Sequence, residues 1–311
     1  MGKMTQRDAF WNRIYELAAN NKELVVVTAD MGAPSLDKFR KNLPAQFINV
    51  GIAEQNAILI ASGLAMEGKR PFVYAIAPFI TLRCLEQVRV NNAIMDIPIT
   101  IVGVGAGFGY EDSGPTHHII EDIAIMKAMP NIVVNSISDN IMAASVAEMS
   151  CSMPHTNYVR LDRLPQDDIY SKGQKFDDGM AQLAEGSDLV ILATGSMVHT
   201  ALSVSKELSK KKINAGVIDI YSIPADPHLL SSKISKAKKI VTLEEHFLAG
   251  GFGSMICEII CDCGMKAPVM RIGIPMKKKY CYKYGGRKEI RKFYGIDEKT
   301  VLKKIDEFVQ Q

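Results

Sequence analysis

Two short stretches of this chain carry residues whose types and spacing could do chemistry. In FINVGIAEQN (47–56) one acid, Glu54, follows a strand-like run and a glycine, where a long helix of small apolar residues begins. A carboxylate there can simply favour a helix N-terminus, worth a few tenths to about 1 kcal/mol. It can also share a proton with a bound group, because open α/β sheets take ligands just past their strand C-termini. In EDSGPTHHIIED (111–122), Gly114-Pro115 dictates a turn, Thr116 is a good N-cap, and His117 and His118 are expected to open the next helix. Successive helical residues point apart, so His117, His118, Glu121 and Asp122 are not expected to hold a metal. One histidine facing a substrate pocket competes with a capping or packing role.

The elements that must position these residues read as α/β. Apolar runs of strand length, ELVVVTAD (23–30), PFVYAIA (71–77), PITIVGVGAG (98–107) and NIVVNSIS (131–138), alternate with helical stretches. ITLRCLEQVRVNNAIM (80–95) reads as one helix with its charges on one side. After Glu54 the small residues Ala57, Ala61, Ser62, Gly63 and Ala65 allow another backbone to come close. The stretch 161–186 is charged and broken by Pro and Gly, which marks a boundary. The expected organisation is a first domain over 1–165, a linker over 166–186 and a second domain over 187–311. Each domain is expected to be a mostly parallel sheet flanked by helices.

The second domain opens with DLVILATGSMVHTALSVSKEL, a strand, a Gly-Ser turn and a helix, and NAGVIDIYSI, KKIVTLEEH and PVMRIGIP follow as strands. The helix after Gly195-Ser196 could hold an anion, but a tight turn needs small residues anyway, and no dinucleotide fingerprint or Walker lysine accompanies it. The glycines of GVGAGFG fall at every second position, which suits close backbone approach or a flexible loop.

Composition narrows the function classes. With 47% apolar and 23% charged residues the chain can bury two cores, and a net charge of +3 gives no electrostatic case for nucleic acid or a membrane surface. The basic run Lys277-Lys278-Lys279, continuing through Lys283 to Arg287, lacks a basic helix and reads as a solvated or interface loop. No apolar run reaches membrane-spanning length unbroken, and the N-terminus lacks the apolar core of a signal peptide. Gly2 would suit myristoylation only with Ser or Thr at position 6, which is Gln6. Cys257, Cys261 and Cys263 read as half-buried positions on one helix rather than zinc ligands. A reduced, cytoplasmic protein is expected.

Taken together, VTADMGAPS, FINVGIAEQNAILIASGLAMEGKRPFVY, GPTHHIIED, ATGSMVHTA and EEHFLAGGFGS occur in an order and at spacings that resemble the C-terminal half of transketolase, and the matching half of 1-deoxy-xylulose-5-phosphate synthase. The resemblance runs from about Arg7 to the end. It implies a pyrimidine-binding domain followed by the transketolase C-terminal domain, and a share in binding thiamine diphosphate. The GDG signature of the diphosphate-binding domain is missing. The resemblance therefore implies one subunit of a split transketolase, completed by a separate diphosphate-binding partner that carries the Mg2+ or Ca2+, in an assembly of two such chains with two partners. It implies transfer of a two-carbon ketol unit from a ketose, as a sugar or sugar phosphate, to an aldose. The alternative is a synthase or 2-oxo-acid enzyme on the same cofactor.

Residue by residue, Glu54 matches the family glutamate that hydrogen-bonds the aminopyrimidine, and Phe79 matches the aromatic that stacks on it. Arg83 and Leu85 fall near the same wall, although the family often has an aromatic where Leu85 stands. His117 matches the histidine that contacts donor oxygens. Arg160 matches an arginine that grips a sugar phosphate, with Arg163 as its rival; Arg7 and Thr28 are further candidates. Two departures bear on substrate reading. Ser113 stands where the family has Asp, with Asp112 displaced by one, and Gly105 stands where transketolases carry a phosphate-contacting histidine.

Overall fold

Runs of Val, Ile and Leu become strands buried on both faces, as parallel sheets covered by helices require. The computed structural model describes residues 4–32 and 34–311; Gly2, considered above for acylation, lies outside them. The strands are β1 (Leu24–Thr28), β2 (Phe47–Asn49), β3 (Arg70–Ile76), β4 (Thr100–Val104), β5 (Ile132–Ser136), β6 (Thr156–Leu161), β7 (Met180–Ala184), β8 (Leu189–Ala193), β9 (Ala215–Ile220), β10 (Ser222–Ile223), β11 (Ile240–Phe247) and β12 (Val269–Ile274). They form two sheets, ordered β10-β5-β6-β4-β3-β1-β2 and β12-β11-β8-β9-β7. Only the edge strands β10 and β7 run antiparallel.

In the first sheet Val26 of β1 faces Phe47 of β2 on one side and Phe72 of β3 on the other, so β1, β2 and β3 end level with one another. The loops after β1, β2, β3, β4 and β6 therefore open on one sheet edge. Helix Glu54–Met66 lays Ala57, Ile58 and Ala61 against one face. Helix Gln6–Ala18, capped by Thr5 accepting the Asp8 N–H, packs Phe10, Trp11 and Ile14 on the other.

Two expectations are corrected. The linker stretch 166–186 ends in strand β7, whose mixed sequence MAQLA shows no apolar run because it is a half-exposed edge. The single helix expected over 80–95 is broken into a short helix Leu85–Gln87 and a π-helical turn Val88–Ile94. Asn92, fully buried within the turn, donates to the Ile97 carbonyl just beyond it at 2.9 Å and to Ser62 Oγ at 3.3 Å. The basic run, read as a solvated or interface loop, ends at an interface. Arg287 is buried, donating to Glu245 Oε1 (3.0 Å) and Ser196 Oγ (2.7 Å) in the second domain and to Asp162 in the first. Arg291 joins it on Glu245 at 2.6 Å. Burial works to raise Glu245, but the Arg287 and Arg291 guanidiniums outweigh it and hold the carboxyl well below its usual range. Among the described residues no helix is long and apolar enough to cross a membrane.

Candidate active site

Glu54 is the first residue of its helix and is buried, at 5% exposure. Ala53, the N-cap, offers no side-chain cap, so the acid sits on unpaired helix N–H groups. Arg83 Nη1 donates to Glu54 Oε2 at 2.8 Å, leaving Oε1 without a protein partner among the described residues. Gln55 Nε2 donates to the Arg83 carbonyl at 3.0 Å and holds that loop down. The Arg83 guanidinium also lies over the Phe79 ring, 4.3 Å from its centroid. A hollow of about 270 Å³ opens beside this group, lined by Ala29, Asp30, Ile52, Glu54, Ile76 and Phe79. Arg83 and Leu85 stand behind it: Arg83 fixes Glu54 and Phe79, and Leu85 packs on the apolar core. Thr28, the last residue of β1, is fully buried beneath the hollow with its hydroxyl unpartnered.

From Phe79 a row of rings leads along the edge. Its ring meets His117 edge-on with centroids 5.2 Å apart, and His117 meets Tyr110 at 5.8 Å. The Arg163 guanidinium caps the row, 4.7 Å from the Tyr110 centroid, with Nη1 donating to Asp112 Oδ1 at 3.3 Å. Arg7 approaches the same place, close enough to interact with Tyr74 and Tyr110. Ser113 is exposed and donates to Asp112 at 3.4 Å, so the displaced acid and the serine act as a pair beside Arg163. Ser35, on a turn that packs against the helix carrying Arg7, has a buried hydroxyl with no partner.

The histidines do not open a helix. Residues 114–118 form a turn, with the His117 N–H donating to the Gly114 carbonyl at 3.0 Å, and helix begins only at Asp122. Ile119 is drawn into a bridge with Gly107, which overrides the local capping signal. Thr116 Oγ1 engages His117 Nδ1 at 3.0 Å, leaving Nε2 free of protein partners among the described residues. His118 points inward against Phe108, and burial lowers its basicity.

Arg160 is not on this edge. It is an interior residue of β6, pairing through Nε with the fully buried Asp122 at 2.7 Å, with Tyr158 donating to the same oxygen. Arg160 is turned into the core at 4% exposure, where it pairs with a buried carboxylate and its Nη2 has no partner among the described residues. Arg163, three residues on and past the strand end, reaches the cleft.

Sequence reasoning misses Tyr110, Arg287 and Glu245. Tyr110 has a signal: Gly105 has φ +95°, and a Cβ there would overlap the Tyr110 ring. The space beside position 105, where the resemblance leads us to expect a histidine, is thus filled by the phenol ring. Glu245 and Arg287 are separated by 42 residues and have none.

Residues 2–164 match the pyrimidine binding domain of transketolase, and residues 179–301 match the transketolase C-terminal domain. The chain is 36% identical to one of the subunits of the apulose-4-phosphate transketolase of Phocaeicola vulgatus, over 98% of this chain and 97% of that protein. It is 30% identical to a 6-deoxy-6-sulfo-D-fructose transketolase subunit of a Clostridium species, over 98% and 94%. A solved split-gene transketolase, described as an inactive β4 tetramer, superposes with a TM-score of 0.88 at 29% identity, covering 99% of both chains.

Proposed function

This chain belongs to the transketolase family, and on that premise we propose that it is the pyrimidine-binding half of a split ketol-transfer enzyme acting on anionic ketoses. It is a transketolase subunit and hence a transferase, and its family works on thiamine diphosphate. The observation that carries the reading is one continuous row, Glu54, Phe79, His117, Tyr110 and Arg163, with an acid at one end and an arginine at the other.

The residues fit a flat heteroaromatic ring. The hollow has an aromatic wall in Phe79, apolar walls in Ile52 and Ile76, and a carboxylate oxygen to spare. Thiamine diphosphate, when bound, supplies the electron sink that lets a C–C bond beside a carbonyl break. Glu54 offers Oε1 to a ring nitrogen of the cofactor and holds a proton there, while Arg83 keeps the carboxylate from turning away. Phe79 presents a face for stacking. His117 directs Nε2 to the sugar oxygens, its other nitrogen being fixed by Thr116. Arg163 grips the distant anion, since a planar fork pairs two oxygens at once, and Arg7 and Ser35 support it from the neighbouring helix and turn.

We place the diphosphate and its metal on a partner subunit, a reading supported by the near full-length match to separate transketolase subunits. Exposed Ile52 at the hollow, and exposed Leu59 and Met66 along the helix that Glu54 opens, support further chains covering this side in an assembly of two such chains with two partners. The relatives act on sugars named with a 4-phosphate and a 6-sulfo group, which supports an anionic donor here. Glu54→Gln in the assembled enzyme should cost about 10²-fold or more in ketol transfer, on the order expected for a lost proton-sharing group, while the subunit stays folded. Near-normal turnover would remove Glu54 from the mechanism. Carbon dioxide release from pyruvate by the wild-type assembly, with no ketol transfer, would reassign the enzyme to the synthase class.

A further inference from the structure

A second cavity lies far along the chain from the Glu54 hollow, where the two domains meet. It measures about 730 Å³, within the usual range for small-molecule sites, which favour domain boundaries. Ala124 and Ile125 of the first domain and Phe247 and Met276 of the second give it apolar walls. The rest is the basic loop: Lys277, Lys278 and Lys279, with Tyr280 and Tyr282.

The loop is pinned rather than loose. Lys278 N–H donates to the Pro275 carbonyl at 2.9 Å, and Tyr294 donates to the Lys279 carbonyl at 3.0 Å. Tyr280 donates to Glu121 Oε1 at 2.6 Å and meets the Phe247 ring edge-on at 5.9 Å. Cys281 is buried beneath. The lysines have no carboxylate partner among the described residues. Lys278 and Lys283 rest over the Phe293 ring, at 5.1 and 5.3 Å. The acid lining the cavity, Glu121, is already committed, its second oxygen accepting the Ile120 N–H at 2.9 Å. The result is net positive charge, three lysines against one carboxylate, on a fixed frame beside an apolar hollow with an exposed aromatic, Tyr282, at 77% exposure.

We infer that this cavity is a binding site for a nucleoside polyphosphate, separate from the ketol-transfer site. The polyphosphate lies along Lys277, Lys278 and Lys279, and the base enters between Tyr282 and the Phe247–Met276 wall. A lone inorganic anion would use the lysines and leave the apolar walls wet. A wholly apolar ligand would leave the cations unpaired. A molecule with an anionic end and a flat ring uses both.

The test is calorimetric titration of the full chain with ATP, inorganic triphosphate and adenosine at low and moderate salt, on wild type, Lys277→Ala/Lys278→Ala/Lys279→Ala and Tyr282→Ala. ATP should bind wild type at least tenfold tighter than triphosphate or adenosine alone. The lysine variant should lose tenfold or more for ATP, and Tyr282→Ala should lose severalfold for ATP but nothing for triphosphate. Circular dichroism checks that these exposed substitutions leave the fold intact. Equal binding of ATP and triphosphate, unmoved by Tyr282→Ala, would reduce the site to a basic surface and overturn the inference. So would no ATP binding at millimolar concentration, or binding unchanged by the lysine variant.

Discussion

Gly105→Ala tests how the cleft is built at its anionic end. Gly105 has φ +95°, and an added Cβ would fall within overlap of Tyr110 Cδ2 and Cε2. Two costs follow. A side chain held at positive φ costs about 1–3 kcal/mol, and forcing a buried ring aside costs about 1–3 kcal/mol more. The expected loss is therefore about 2–6 kcal/mol in the single variant. In a Tyr110→Ala background the second cost vanishes, so the two substitutions should couple by about 1–3 kcal/mol, well outside the roughly 0.5 kcal/mol scatter of independent sites. Guanidinium midpoints for the four proteins of the cycle, read by circular dichroism, measure the coupling. In the assembled enzyme Gly105→Ala should raise KM for an anionic donor more than it lowers kcat, because the displaced ring is the seat of Arg163. Additive stabilities would refute the claim that Tyr110 occupies the space at position 105. An unchanged KM would refute the claim that this seat serves the substrate.

The two arginines of YVRLDR should fail in opposite ways. Arg163→Met should raise KM for anionic donors at least tenfold while changing stability by less than about 1 kcal/mol, its ion pair with Asp112 being exposed. Arg160→Met should cost about 3–5 kcal/mol, because it strands the fully buried Asp122; a stable Arg160→Met enzyme with raised KM would exchange their roles. Asp219 supplies a pH test. Burial pushes its carboxyl up to about 7 against the opposing hydrogen bonds from Ser138 and Tyr170. Its folded value lies above its unfolded value, so its contribution favours folding at acid pH and is lost as pH rises from about 4 to about 7, on the order of 4 kcal/mol in total. Asp219→Asn should flatten urea stability across that window, and an unchanged pH slope would show that another group carries it.

How much of the molecule is legible in its sequence depends on the distance over which each residue is determined. Glu54 is legible because its position follows from a local pattern, a strand, a glycine and the start of a helix, and β1, β3, β4 and β8 because central parallel strands carry mostly apolar runs. β6 is not: its sequence TNYVRL carries Asn157 and Arg160, polar residues that only tertiary partners, Asn135 and Asp122, make tolerable in a core. For the same reason Arg160 looks available in the sequence. The turn at 114–118 mimics a helix start because Thr116 is a good cap in isolation, while the bridge from Ile119 to Gly107 is settled by the sheet edge. Arg287 reads with its lysine neighbours as part of a solvated or interface loop, since nothing local singles out a guanidinium destined for Glu245 and Asp162.

That guanidinium also sets an order of events at the ribosome. Asp162 directly follows β6, the last parallel strand of the first sheet, but the cation that neutralises it is 125 residues further on. At about 5–20 residues per second, the first domain waits roughly 6–25 s of synthesis before Arg287 is made. The edge strand β10, supplied by Ser222–Ile223, arrives in the same interval. Until then the nascent first domain has an open sheet edge and an unmatched acid, while its apolar Glu54 helix face is already made. The first domain is therefore finished only when the second is nearly complete, and a chain truncated before residue 287 leaves both unfinished.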